Sequence, residues 1–335
     1  MKSGTSCAAK DQAVANKSRL RRTWQKRGWA ITQDCAAATL FDAHPQRLVE
    51  RVWGPLCLAA LNVRLEQGSA RIFLRVLGDS LGATSAASHL LLPLGDASTL
   101  FPDAAERAIA AAGGQILLHE PALGLESGTS GARWRVLLRS NVVDADAVIF
   151  ALPPARCVDL LERAAQPALG AAIDRLARIG TAPIATVYLR YPPPTQLTQP
   201  LFALHEKPRA AEFGQWVFDR GLLEPGCAGV LSVVVSGSGP HLDLEPKDLA
   251  ACVSDQLARC FPLPAPLAHA VLIEKRATIT PSPALSRPDT RLALPGLYVA
   301  GDAAASPYPS TLEGSVRSGL AAARAAIDDA LTNAA

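Results

Sequence analysis

A chain of 335 residues is long enough to bury a large core, and its length suggests two domains rather than one. Hydrophobic residues make up 49% and charged residues 19%, the balance of a globular chain. A net charge of +3 is too small to point to nucleic acid or an acidic partner, and motifs that read RNA or DNA are absent.

The first 18 residues are polar and match no element. Between Lys17 and Arg27 stand six cationic residues and no acid, with Trp24 and Trp29 nearby. Such a pattern suits a helix lying on an anionic membrane surface. The plainer reading, the solvated face of an ordinary helix, is favoured because charge runs usually have that role. From Pro45 to Leu77 the apolar spacing predicts helix, through Leu48, Val52, Leu56, Ala59, Ala60, Val63, Ile72, Val76 and Leu77. Leu90 to Leu94 is a short apolar run. A helix opens at Asp103, runs through Ala112 and stops at Gly113-Gly114.

Strands are expected at Gln115 to Leu118 and at Arg133 to Leu138, with a turn rich in glycine and serine at Ser127 to Gly131. Ala145 to Leu152 reads as a strand buried on both faces, ended by Pro153-Pro154. Helices follow at about 155–165 and 169–178. A β-rich stretch then runs through Ile184 to Leu189, Phe213 to Phe218, Val230 to Val235 and Ala270 to Glu274. A helix at about 246–260 interrupts it, and Tyr191 to Pro200 is a proline-rich loop or crossover. The chain closes with Gly296-Leu-Tyr-Val-Ala-Gly-Asp302, a polar loop and a helix from about Thr311 to Leu331.

Seven cysteines are scattered, odd in number and never spaced Cys-x-x-Cys, so reduced, mostly buried thiols in a cytoplasm are expected rather than a disulfide framework or a zinc site. The six histidines stand apart from one another, and no metal site is expected. No apolar run approaches the roughly 18 residues of a membrane span. There is no Gly-x-Ser-x-Gly and no convincing Cys/His pair for nucleophilic catalysis.

The C-terminal segment carries the chemistry. Gly301 lets backbone approach a ligand closely, and Asp302 stands where α/β sheets bind ligands, able to accept hydrogen bonds from sugar or ribityl hydroxyls. Ser310-x-x-Glu313 reads as a capping box that fixes the start of the last helix, whose first N–H groups and dipole favour negative charge. Leu312, Val316, Leu320, Ala323, Ile327 and Leu331 form a stripe expected to dock that helix on the sheet. Gly314 and Gly319 cost helix stability, roughly 1 kcal/mol each, and suggest close approach to a ligand or a neighbouring backbone. On spacing alone a ligand site and an ordinary strand–loop–helix stand level.

The stretch Tyr298-Val-Ala-Gly-Asp302 with Pro309-Ser-Thr-Leu-Glu-Gly-Ser-Val-Arg-Ser-Gly319 resembles the C-terminal FAD motif of the amine oxidase and phytoene desaturase superfamily. Trp53-Gly-Pro-Leu-Cys-Leu-Ala-Ala-Leu-Asn62, Phe73-Leu-Arg-Val-Leu-Gly-Asp79, Leu91-Leu-Pro-Leu94 and Leu100-Phe-Pro102 narrow the resemblance to the hydroxysqualene dehydroxylases, or squalene-associated desaturases. It extends from about Arg19 to the end. It implies an α/β fold in which an FAD/NAD(P)-binding, Rossmann-like domain occupies 111–155 and 290–335, and an inserted α+β substrate domain occupies 19–110 and 156–289. It implies FAD as cofactor, an apolar isoprenoid substrate, and reduction of hydroxysqualene to squalene by hydride from reduced FAD. Asp302 would meet the ribityl and pyrophosphate region, Thr311, Leu312 and Glu313 the isoalloxazine, and Ala122 the adenine. Gly301 and Ser310 complete the cofactor set; no catalytic residue is assigned. Ala303 and Ala304 stand where the family more often has an aromatic and a threonine. A cytoplasmic protein, peripheral on the inner face of the membrane if the basic segment binds there, fits such a substrate.

Flavoproteins of this group open with strand–Gly-x-Gly-x-x-Gly–helix, which binds the pyrophosphate. No such spacing occurs here; Gly237-Ser-Gly239, the one Gly-x-Gly, leads into Pro240 and reads as a turn. The resemblance thus implies a fold truncated at its N-terminus, or one completed by a separate polypeptide. Two other readings remain open: a carotenoid-type desaturase or another amine-oxidase relative, and a non-catalytic remnant or a subunit that completes a flavin site in trans.

Overall fold

The computed structural model describes residues 24–128 and 133–334. The basic segment at 17–23 and most of the turn at 127–131 lie outside them. Named in chain order, the main elements begin with helices α1 (Gly54–Leu61), α2 (Ala70–Leu77) and α3 (Pro102–Ala111). Strands β1 (Gly124–Ser127), β2 (Trp134–Leu137), β3 (Val142–Ala145) and β4 (Val148–Phe150) follow, then α4 (Pro154–Arg163) and α5 (Gly170–Ala177). Next come β5 (Thr181–Arg190), β6 (Leu201–Ala203), β7 (Trp216–Asp219) and β8 (Val230–Ser236). The chain ends with α6 (Pro246–Cys260), β9 (Ala268–Ile279), β10 (Leu297–Val299) and α7 (Leu312–Ala334).

The chain divides into two compact units: one up to Ile116 together with Ala182–Ala277, the other Leu117–Thr181 together with the chain from Thr278 on. The division differs from the expected one at 111–116, which belongs with the first unit, and at 156–181 and 278–289, which belong with the second. Helices α4 and α5 explain the difference: Cys157, Leu160, Leu161, Leu169 and Leu176 pack into one core with Phe150, Leu297 and Val299, the strands that lead to Gly301.

In the first unit β6-β7-β8-β5-β9 form a five-stranded sheet, antiparallel where β6, β7, β8 and β5 pair. Alternation along β5 and β8 sends Ala185, Val187, Leu189, Leu231, Val233 and Val235 to one face. Helix α6 covers that face with Leu249, Val253 and Leu257, and Pro246 at its first turn starts it cleanly. The helical pattern expected over 45–77 is interrupted. Asn62 ends α1 at φ 55°, and Ser69 starts α2 by accepting the N–H of Ile72. Asn62 then works as a clamp, its Oδ1 accepting the N–H of Gly237 at 2.7 Å. The apolar run at 90–94 is irregular, and Leu90, Leu91 and Leu94 are exposed.

In the second unit β1-β2-β3 make an antiparallel meander, and β4 pairs in parallel with β10. Gln115 to Leu118 is not a strand; Ile116, Leu117 and Leu118 are exposed and, among the described residues, pair with no other strand. β4 is also not buried on both faces. Phe150 is 4% exposed, but Ile149 is 39% exposed because nothing described covers its face of the sheet. Gly296, at φ 78°, cannot carry a side chain: a Cβ there would sit 2.5 Å from the carbonyl oxygen of Asp146.

Six cysteines fall among the described residues and all are free; only Cys57 and Cys157 are buried. Burial pushes their thiols up to about 12 and about 11, so neither offers a thiolate at neutral pH.

Candidate functional site

The site lies in the second unit, where β10 runs into a tight turn. Leu297 and Val299 point into the core shared with α4, while Tyr298 and Ala300 face α7 and meet Ala322 and Ala325. Gly301 follows at φ 73°, with open space where a Cβ would be. Its N–H donates to Ser318 Oγ on α7 at 2.7 Å, and that hydroxyl donates to the Ser315 carbonyl. The turn and the helix are thereby tied together through one buried serine.

Asp302 is partly exposed, and its peptide carbonyl accepts a 3.5 Å hydrogen bond from Arg287. Arg287 also donates to the carbonyls of Ser306 and Tyr308, so one guanidinium organises the loop from Asp302 to Tyr308. Its five donors in a fixed fork suit it to several carbonyls at once. Arg287 is only 8% exposed; burial lowers its pKa, and the negative charge of Asp302 opposes that shift.

The start of α7 differs from the capping box expected at Ser310 and Glu313. Thr311 is the cap: its Oγ1 accepts the N–H of Gly314 at 3.1 Å. Ser310 accepts the N–H of Ile279 instead, and Glu313 pairs with Arg317 one turn on. The helix therefore begins one residue later than that box requires. Among the described residues no acceptor meets the N–H groups of Leu312 and Glu313, the first two of the helix.

The docking face of α7 is also not the expected one. Leu312, Val316, Leu320, Ile327 and Leu331 are 76%, 41%, 53%, 58% and 67% exposed. Gly314, Ser318, Ala322 and Ala325 are buried instead, so the helix lies on the sheet by its small residues. Small side chains bring the helix axis close to β10 and let Ser318 reach Gly301. Gly314 shows how close: a Cβ there would meet the Pro309 carbonyl oxygen at 3.1 Å.

The structure thus brings together Gly301, Asp302, Ser310, Thr311, Leu312 and Glu313 around one turn and one helix start. Ala122 precedes β1 and packs against the core that also holds Ala303 and Ala304, with no strand before it. Ala303 and Ala304 are fully buried and offer nothing to a ligand. Sequence reading missed Arg287, Ser318 and the anchor in which Tyr298 donates to Asp329 at 2.8 Å while Arg291 pairs with the same carboxylate. Arg291 and the Tyr298 hydroxyl hold the Asp329 carboxyl below its usual range. Spacing could have offered Ser318 and Asp329, which share a helix face with Ala322 and Ala325; nothing local marked Arg287.

The arrangement fits one part of FAD. Open space beside Gly301, a carboxylate at the end of a buried strand, and two unengaged N–H groups at a helix start suit ribityl hydroxyls and the electron-rich edge of an isoalloxazine. A pyrophosphate finds no glycine-rich turn in this chain. No group of three or more His, Cys, Asp or Glu positioned for a metal occurs among the described residues. No described helix is long and apolar enough to cross a membrane.

Residues 55–327 match the family described as flavin containing amine oxidoreductase. Hydroxysqualene dehydroxylase from Rhodopseudomonas palustris is 28% identical over 304 residues, covering 88% of this chain and 66% of that protein. Hydroxysqualene dehydroxylase from Sinorhizobium fredii is 25% identical over 295 residues, covering 85% and 64%. The chain therefore spans slightly less than two thirds of the length of either relative. Among solved structures, cyclohexylamine oxidase from Brevibacterium oxydans superposes with a TM-score of 0.61 at 16% identity, over 97% of this chain and 76% of that one. Together these show an α/β flavoprotein fold.

Proposed function

The chain belongs to the family of flavin containing amine oxidoreductases, whose cofactor is FAD, and from that membership we propose that it contributes the flavin and substrate portions of an enzyme reducing hydroxysqualene to squalene. The observation that carries the cofactor part is the turn at Gly301-Asp302 held by Ser318 and Arg287 against the open first turn of α7. Identity to two hydroxysqualene dehydroxylases over most of the chain supports the substrate.

When bound, reduced FAD supplies a hydride. In this reading the bound cofactor would supply that hydride to the allylic carbon, and the substrate hydroxyl would depart as water with a proton taken from solvent. The chain's own groups hold the cofactor. Asp302 accepts hydrogen bonds from ribityl hydroxyls, and Thr311 fixes the helix start. The N–H groups of Leu312 and Glu313 favour negative charge on the flavin. Ala122 would face the adenine.

The test is anaerobic incubation of the purified protein with FAD, a chemical reductant and hydroxysqualene, followed by product analysis. Flavin absorbance near about 450 nm in the oxidised protein before the reductant is added, followed by squalene formation after it, is the expected result. Bound flavin with no squalene would sink the substrate assignment while leaving the cofactor site standing.

A further inference from the structure

The end of β7, in the first unit, holds a buried carboxylate without a cation. Asp219, the last residue of that strand, is 1% exposed. Its Oδ2 accepts the N–H of Leu197 at 2.7 Å, and its Oδ1 accepts that of Gly221 at 3.0 Å. Among the described residues no lysine, arginine or histidine pairs with it; the neighbouring Arg220 is taken by Glu224 at 2.6 Å. A buried charge ordinarily has a partner of opposite sign, because neutral donors replace only part of what water supplied. A carboxylate offers about four lone-pair sites, so about two remain here.

Asp219 lines a cavity of about 190 Å³ together with Pro193, Pro194, Thr195, Gln196 and Ala228. Pro193, Pro194, Gln196 and Ala228 are exposed, so the cavity opens to solvent. A cavity of about 150 Å³ can hold benzene, and this one has room for a ligand of that size. The proline rings and Ala228 supply apolar carbon. The Thr195 hydroxyl donates to the Pro192 carbonyl at 2.6 Å and so has only its oxygen left to offer, an acceptor like Asp219. Gly221 keeps space beside the carboxylate, since a Cβ there would sit 3.3 Å from Oδ1.

These walls describe a ligand with one positive end and a short hydrocarbon body. A metal ion fits less well, because it takes several oxygen ligands and Asp219 is the one acid in this lining. A guanidinium binds best across both oxygens of a carboxylate, and here each already takes an N–H. An ammonium is a compact point charge that needs only one of them. We propose that this cavity binds a small primary alkylammonium, with its charged end on Asp219 and its hydrocarbon against Pro193, Pro194 and Ala228. The site belongs wholly to the first unit and shares no residue with the Gly301-Asp302 turn, so it stands whether or not the flavin reading holds.

The experiment titrates the full chain with n-butylammonium chloride and follows the amide resonances of Leu197 and Gly221. The controls are n-butanol, an uncharged molecule of the same shape, and sodium chloride at equal ionic strength. The expected result is saturable shifts at both amides, with butylammonium binding at least about tenfold more tightly than butanol, the worth of one charge-assisted hydrogen bond. Asp219→Asn should bring the two probes to the same affinity. Asp219 also holds the backbone of its turn, so a second variant leaves it in place: Ala228→Leu adds bulk to the cavity wall and should abolish saturable binding of both probes. Circular dichroism and an unchanged melting temperature without ligand check that each variant folds. Equal affinity for butanol and butylammonium in the wild-type chain, shifts that sodium chloride reproduces, or butylammonium binding unchanged in Ala228→Leu overturns the proposal.

Discussion

The two sheets of this protein solve the burial problem in opposite ways. The five-stranded sheet of the first unit has an alternating inner face and a helix of its own, and Val187, Leu231, Val233 and Val235 are fully buried without help from outside the unit. The parallel pair of the second unit covers one face with α4 and α5, but on the other face α7 covers only β10 and leaves Ile149 open. Where a sheet carries its own cover, the apolar residues of its inner face are buried. Where the cover is incomplete, apolar and buried residues separate, and α7 shows it: Leu312, Leu320 and Leu331 face out while Gly314, Ser318, Ala322 and Ala325 face in.

The largest test of that contrast is a pair of matched truncations. Leu231→Ala, at a fully buried position on β8, should cost about 2–5 kcal/mol of stability through lost transfer energy and a residual cavity. Leu320→Ala on α7 should stay within about 0.5 kcal/mol, because the leucine is half exposed in the chain by itself. Urea unfolding of both variants measures the difference. Equal costs would mean that the α7 stripe is covered in solution.

A second, smaller effect concerns the loop that the core holds. Arg287→Ala leaves the carbonyls of Asp302, Ser306 and Tyr308 without their shared donor, at a cost of about 1–3 kcal/mol. Faster hydrogen exchange at 301–308, with β8 unaffected, is the expected signature. Arg287→Lys should restore part of the protection, since one ammonium cannot span three carbonyls in a fork.

How much of this was legible in the sequence follows the same divide. The helix at Pro246–Cys260 and the strands containing Ile184–Leu189 and Val230–Val235 stood out because periodicity there reports burial within one unit. Gly113 and Gly114 marked the end of α3 correctly, with Gly114 donating to the Ile109 carbonyl. The Gly301-Asp302 turn and the helix after it were visible as a pattern. Ser310 and Thr311 were not distinguishable, because either hydroxyl can cap a helix. The choice depends on the Ile279 amide, 31 residues away in sequence, which takes Ser310. Arg287 was hidden for a related reason: its partners are backbone carbonyls, and these leave no trace in side-chain spacing. The strand expected at 115–118 had the right composition, but no described strand lies beside it.

The cap itself can be tested. Thr311→Ala should cost about 1 kcal/mol and fray the first turn of α7, because the Gly314 N–H loses its acceptor. Ser310→Ala should leave α7 intact and instead loosen the Ile279 amide, while Glu313→Gln removes only an exposed ion pair worth about 0.3–0.5 kcal/mol. Amide exchange at Gly314 and Ile279 distinguishes the three. Protection at Gly314 lost in Ser310→Ala and kept in Thr311→Ala would return the cap to Ser310.

The smallest effects are electrostatic, and they separate the units by pH. His241 in the first unit is buried against the Phe213 ring, and its Nε2 has no protein partner among the described residues. Burial lowers its pKa; Glu206 and Asp243 act against that shift and Arg64 with it. A folded pKa below the unfolded one means that the unfolded chain binds the proton more readily. The contribution is therefore intact above the usual histidine value and is lost as pH falls through the folded pKa. Asp329 in the second unit is depressed by its hydrogen bonds from Arg291 and Tyr298, so its contribution is intact above the usual carboxylate value and is lost only in stronger acid. Acidification should loosen β8 and its neighbours before it releases α7 from β10. His241→Phe should remove the first step and leave the second, and Asp329→Asn should do the converse. Hydrogen exchange followed from neutral pH downward reads both; simultaneous loosening of the two units in the wild-type chain would show that their stabilities are coupled.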